Sequence, residues 1–90
     1  MNARFPLGQI AATPGALEVL EESKTRPLTL LDRHVSGDWG DLCAEDQQEN
    51  EFAVSRSLRI LSAYKVGKAK VWVITEADRS STTILLPSEY

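Results

Sequence analysis

Ninety residues, 42% apolar and 26% charged, set the scale of one small domain spanning 1–90 and exclude collagen-like, coiled-coil and disordered polyampholyte chains. Thirteen acidic against ten basic side chains give a net charge of -3, which speaks against a dedicated phosphate-backbone binder, so nucleic acid is not the expected partner. The single cysteine, Cys43, closes no internal disulfide and points to a reducing, cytoplasmic setting. Apolar runs such as Val71 to Ile74 fall far short of the roughly 20 residues that span a bilayer, and Met1 to Gln9 lacks the apolar stretch of a secretory signal.

In chain order, Arg4 to Ile10 is a short apolar segment broken by Pro6 and Gly8, which suits an edge strand. Thr13 and Pro14 form a helix start, with Thr13 able to cap free N–H groups, and the first helix is expected from Pro14 to about Ser23 with Leu17 and Leu20 inward. Thr25 and Pro27 repeat the signal for a second helix, Pro27 to Ser36, with Leu28, Leu31 and Val35 on one face and Gly37 as its left-handed stop. Next comes a tight Gly-Asp-Trp-Gly-Asp-Leu turn at 37–42, from which Trp39 plugs the core. Asp41 is placed to cap a polar third helix over about Leu42 to Ser55, and Cys43 reads as a small buried filler.

Beyond residue 57 the period changes. Leu58 to Val66, Lys70 to Glu76 and Thr82 to Leu86 are rich in β-branched and aromatic residues, with Gly67 and Lys68 as a two-residue hairpin turn and 78–81 as a polar connection. The pattern predicts an α+β fold: about three helices on one face of a three- to four-stranded antiparallel meander sheet. The expected core is Leu17, Leu20, Leu28, Leu31, Val35, Leu42, Phe52, Ile60, Val73, Ile74 and Leu85. So small a core makes a homodimer a natural supplement.

Three clusters carry chemistry. His34, Asp38, Asp41, Glu45 and Asp46 place one imidazole and four carboxylates around the tight loop. They suggest a Mg²⁺-type site, or a small metal-dependent hydrolase or nuclease using His34, Asp38 and Asp41. Opposing this, the loop lacks the Asp-x-Asp-x-Asp-Gly register of a calcium hand, and a His in the last helical turn is explained by the helix dipole. Tyr64, Lys65, Lys68, Lys70 and Trp72 share one hairpin and suggest weak single-stranded nucleic-acid binding, although cross-strand packing and edge protection account for the same residues. Asp78 and Arg79, in the last exposed loop, join Asp38, Trp39, Asp41, Glu45 and Asp46 as candidate contacts for a protein partner. No nucleotide-phosphate motif is present, and no resident cofactor or metal is expected.

The strings Phe5-Pro-Leu-Gly-Gln-Ile, Thr13-Pro-Gly-Ala-Leu, Arg33-His-Val-Ser-Gly-Asp-Trp-Gly-Asp-Leu, Arg59-Ile-Leu-Ser-Ala-Tyr and Ile74-Thr-Glu-Ala-Asp-Arg-Ser-Ser-Thr-Thr-Ile-Leu-Leu-Pro span nearly the whole chain. In them the sequence resembles small, mostly uncharacterised "plasmid-related" proteins of bacterial plasmids and integrative mobile elements. The resemblance implies a setting and no catalytic residues: a non-enzymatic accessory protein, an inhibitor or modulator of host defence of the anti-restriction or anti-CRISPR kind, acting through an acidic surface.

Overall fold

A computed structural model describes residues 3–90. The elements run β1 (Gln9–Ala12), α1 (Pro14–Glu22), α2 (Pro27–Val35), α3 (Ala44–Arg56), β2 (Ile60–Val66), β3 (Ala69–Thr75) and β4 (Ser81–Leu85), closed by a 3₁₀ turn at Pro87–Glu89. The fold is α+β, as the change of period predicts. Among the described residues, no helix is long and apolar enough to cross a membrane.

The four strands lie in the order β1-β4-β3-β2. The last three form the predicted antiparallel meander, with Tyr64 opposite Val71 and Val66 opposite Ala69 across the β2–β3 hairpin. Gly67 takes the positive φ of +61° that the two-residue turn demands. The sheet as a whole is mixed, which corrects the purely antiparallel expectation. After β1 the chain enters α1 rather than a hairpin, so β1 runs parallel to β4, from Gln9 opposite Ser81 to Ala12 opposite Ile84.

One sheet face receives the helices. Ala16 and Leu20 of α1 and Leu30 and Leu31 of α2 pack with Tyr64, Val66, Val71, Val73 and Ile84 in the larger core cluster. A second cluster joins Phe5, Trp39, Ala53 of α3 and Ile60. Of the predicted core, Leu20, Leu31, Val35, Ile60, Val73, Ile74 and Leu85 are buried, and Leu42 is half-buried. Leu17, Leu28 and Phe52 are exposed instead, at 48%, 59% and 52%. The reason is rotational. At 100° per residue, α1 seats Ala16, Val19 and Leu20 and turns Leu17 off the edge of that stripe, while Leu30 and His34, one turn apart, rotate the buried face of α2 away from Leu28.

The caps follow the sequence unevenly. Thr13 Oγ1 accepts the Ala16 N–H at 3.2 Å, and Glu89 adds hydrogen bonds from Thr13 Oγ1 and the Gly15 N–H, tying the C-terminal turn to the start of α1. Arg26 occupies the N-cap of α2 in place of Thr25, and Cys43 that of α3 in place of Asp41, neither with a side-chain bond. Cys43 is exposed, so it fills no core space.

Candidate protein-interaction groove

The turn at 37–42 is built inward. Trp39 is 3% exposed, and its indole N–H donates to Glu51 Oε2 at 2.9 Å. Arg4 clamps the same carboxylate with two hydrogen bonds of 2.7 and 2.8 Å. The Arg4 and Trp39 donors hold the Glu51 carboxyl down at about 2. Gly40, at φ +76°, lies so close to β2 that a Cβ there would stand 2.0 Å from the Ala63 carbonyl. That approach allows Ala63 N–H to donate to the Trp39 carbonyl at 3.1 Å and Asp41 N–H to the Ala63 carbonyl at 2.6 Å.

The residues proposed for metal chemistry do not converge. His34 is fully buried, with Nδ1 2.6 Å from Ser62 Oγ and Nε2 2.9 Å from Thr75 Oγ1. Thr75 Oγ1 meets Thr82 Oγ1 at 2.7 Å, and Thr82 donates to the Leu7 carbonyl at 2.7 Å. A carbonyl only accepts, so the proton order along this chain is fixed. Thr82 gives its proton to Leu7 and accepts from Thr75; Thr75 accepts from Nε2–H; Nδ1 accepts from Ser62. Burial pushes the imidazole down to about 4, leaving it neutral at pH 7. His34 therefore ties α2 to β2, β3 and β4, and its neutral, buried ring corrects the reading of a last-turn histidine whose charge answers the helix dipole.

Asp38 instead pairs with Arg33 at 2.7 Å, which lowers its carboxyl, and its backbone carbonyl accepts Tyr64 Oη–H at 2.6 Å. Asp41 lies 3.9 Å from Lys70. Among the described residues, no group of three His, Cys, Asp or Glu side chains is arranged to hold a metal ion. The hairpin set is divided as well: Tyr64 is 1% exposed on the helix side, under the Arg33 guanidinium at 4.4 Å, so it offers no face to a base.

The candidate partner contacts also separate. Trp39 is core, which removes it from any contact surface. Arg79, at φ +61°, turns back on the protein and donates to the carbonyls of Ala53, Leu58, Glu76 and Ala77 at 2.7 to 3.2 Å, fastening the β3–β4 loop to the end of α3. Asp78 folds onto the Ser80 N–H at 3.0 Å. Glu45 and Asp46 remain exposed in the first turn of α3, where the N-terminal end of the helix dipole favours acids.

Those two acids belong to a larger feature that their sequence spacing does not disclose. Asn50 is 5% exposed and reaches edge strand β2 with both ends of its amide: Nδ2 donates to the Leu61 carbonyl at 2.7 Å and Oδ1 accepts the Leu61 N–H at 3.2 Å. This pairing fixes α3 beside β2, and between them runs an open groove of about 790 Å³. Glu45, Asp46 and Glu49 line it, with Phe52, Leu58 and Leu61 as its apolar part. Arg59 also lines the groove, but its guanidinium is engaged by Glu76 at 3.1 Å and Tyr90 Oη at 2.8 Å. Among the described residues, Glu45, Asp46 and Glu49 take part in no ion pair. Comparison with family models, curated proteins and solved structures gives no match, so the groove's own chemistry is the guide to its role.

Proposed function

We propose that this protein is a non-enzymatic binding module whose α3–β2 groove takes a cationic, amphipathic segment of a protein partner. One observation carries the reading: three carboxylates without ion pairs stand beside exposed Phe52 and Leu58 in one concavity of about 790 Å³. Such a site rewards basic residues for charge complementarity and large apolar residues for leaving water. The groove contains Glu45 and Asp46 of the acidic surface expected from sequence and adds Glu49, Phe52 and Leu58. The resemblance to plasmid-related proteins supports the concrete form, an accessory protein of a mobile element that works in the cytoplasm as an inhibitor or modulator of host defence.

Peptide display against the immobilised protein tests the reading. Retained peptides should interleave Lys or Arg with large apolar residues, and the Glu45→Lys, Glu49→Lys double variant should no longer retain them. Retention indifferent to the charge reversal, or no enrichment over the bare support, would remove the groove as the site.

A further inference from the structure

The two edges of the sheet are treated differently. On the β2 edge, Leu61 is occupied by the Asn50 amide and Ala63 by Trp39 and Asp41, and the next outward residue is the exposed charge Lys65. Those are devices that block strand addition. On the β1 edge, among the described residues, no side chain or loop occupies the outward backbone of Gln9–Ala12 and no charge stands there; Pro6 and Pro14 lie outside the four-residue strand. Gln9 N–H donates to the Ser80 carbonyl at 3.0 Å and Thr13 N–H to the Ile84 carbonyl at 2.9 Å, so residues 9, 11 and 13 turn their backbone groups toward β4. The N–H and C=O groups of Ile10 and Ala12 point the opposite way, and among the described residues none pairs with them. Ile10 is 54% exposed, and no residue from Phe5 to Leu17 is charged.

We propose that β1 is a dimerisation edge, on which a second copy of this chain pairs its own β1 antiparallel to form a continuous eight-stranded sheet. The register follows from the outward groups. A two-fold axis through Ala11 sets Ile10 opposite Ala12 of the second copy and the reverse, so each of these residues exchanges both of its backbone hydrogen bonds. Every outward donor meets an acceptor, as an isologous contact requires. Neutrality selects this occupant: a chain of net charge -3 meets its own copy along a segment, 5–17, that carries no charge of its own, and the two-fold axis sends the Glu89 carboxylates bound at Thr13 and Gly15 to opposite ends of the pairing. Ile10 and Ala12 lie on the helix-covered side, where their side chains pack across the axis. The inference is independent of the α3 groove, which flanks the opposite edge of the sheet.

Sedimentation equilibrium over 5 µM to 1 mM, read with amide hydrogen exchange by NMR, tests it. The mass should rise toward that of a dimer, with the Ile10 and Ala12 amides becoming protected as it does, whereas Gln9, Ala11 and Thr13 are protected throughout. Ile10→Pro deletes an outward N–H that β4 does not use, and Ile10→Lys sets like charges across the axis; both should remain monomeric with native tryptophan fluorescence. A monomer at every concentration would overturn the proposal. So would a dimer whose Ile10 and Ala12 amides exchange freely, or one that survives Ile10→Lys. Hydrogen exchange on the unaltered protein decides the matter if the proline variant does not fold.

Discussion

Acid should weaken this fold through His34 as soon as pH falls below about 6.5. The imidazole is held at about 4 in the fold and returns to 6.5 when the chain unfolds. Its neutral form is built into the Ser62–His34–Thr75–Thr82 chain, whereas the imidazolium would be buried between the rings of Phe5 and Trp39, whose centroids lie 5.2 and 6.1 Å away, with no carboxylate among the described residues bonded to it. Above pH 6.5 neither state is protonated and the full stability is present. Between 6.5 and 4 only the unfolded chain takes up the proton, so stability falls by about 1.4 kcal/mol per pH unit and by about 3 kcal/mol in all. Below 4 both states are protonated, and this group contributes no further loss. Because the chain has one histidine, the window from 6.5 to 5 belongs to it. Urea denaturation followed by tryptophan fluorescence at half-unit pH steps measures the slope, and His34→Gln should flatten it. A flat profile from pH 7.5 to 5 in the unaltered protein, or the same slope without the imidazole, would refute the account of the buried chain.

Glu51 governs a lower window. Its carboxyl rises from about 2 to 4.5 on unfolding, so the stability it lends is present above 4.5 and is lost as pH falls toward 2; Glu51→Gln should reduce acid sensitivity there, as measured by circular dichroism. Gly40→Ala should cost about 3 kcal/mol or more, because a side chain at φ +76° would collide with the Ala63 carbonyl; an unchanged denaturation midpoint would contradict the close approach. Arg79→Ala strips its donors from four carbonyls and should cost about 2 kcal/mol, with Arg79→Lys recovering only part, since an ammonium cannot match the planar fork. Leu17→Gln and Leu28→Gln, at exposed positions, should each fall within about 0.5 kcal/mol of the parent in thermal denaturation.

Local signals made the helices, the meander and the turns readable in the sequence. Pro14, Pro27, Gly37 and Gly67 act through their own backbones, and each marks the start, stop or turn that it predicts. What stayed hidden is set by contacts distant in sequence. Hydrophobicity favoured Leu17 over Ala16, yet the helix buries the smaller residue where it meets the larger cluster. The burial of His34 depends on hydroxyls 28 and 41 residues away, and the only local hint is its position four residues after Leu30. The groove was half legible: Glu45 and Asp46 stood out as acids, but its width rests on the Asn50–Leu61 pairing, and an asparagine within a polar helix gives no sign that it faces a strand. The seating of β1 was equally silent: the edge strand expected over Arg4 to Ile10 shares only Gln9 and Ile10 with the observed Gln9–Ala12, since the positive φ of Gly8 keeps the earlier residues out of the strand, and nothing in the segment records a parallel direction.

The role of the groove is tested most directly by photo-crosslinking in cells. A photoreactive amino acid placed at position 52 should join the protein to a partner through a peptide rich in basic residues, with the yield falling at least tenfold when Glu45 and Glu49 are reversed to lysine. The same group at position 28, equally exposed on α2, should capture nothing in common with it. Identical adducts from both positions, or adducts at 52 that ignore the charge reversal, would contradict the assignment.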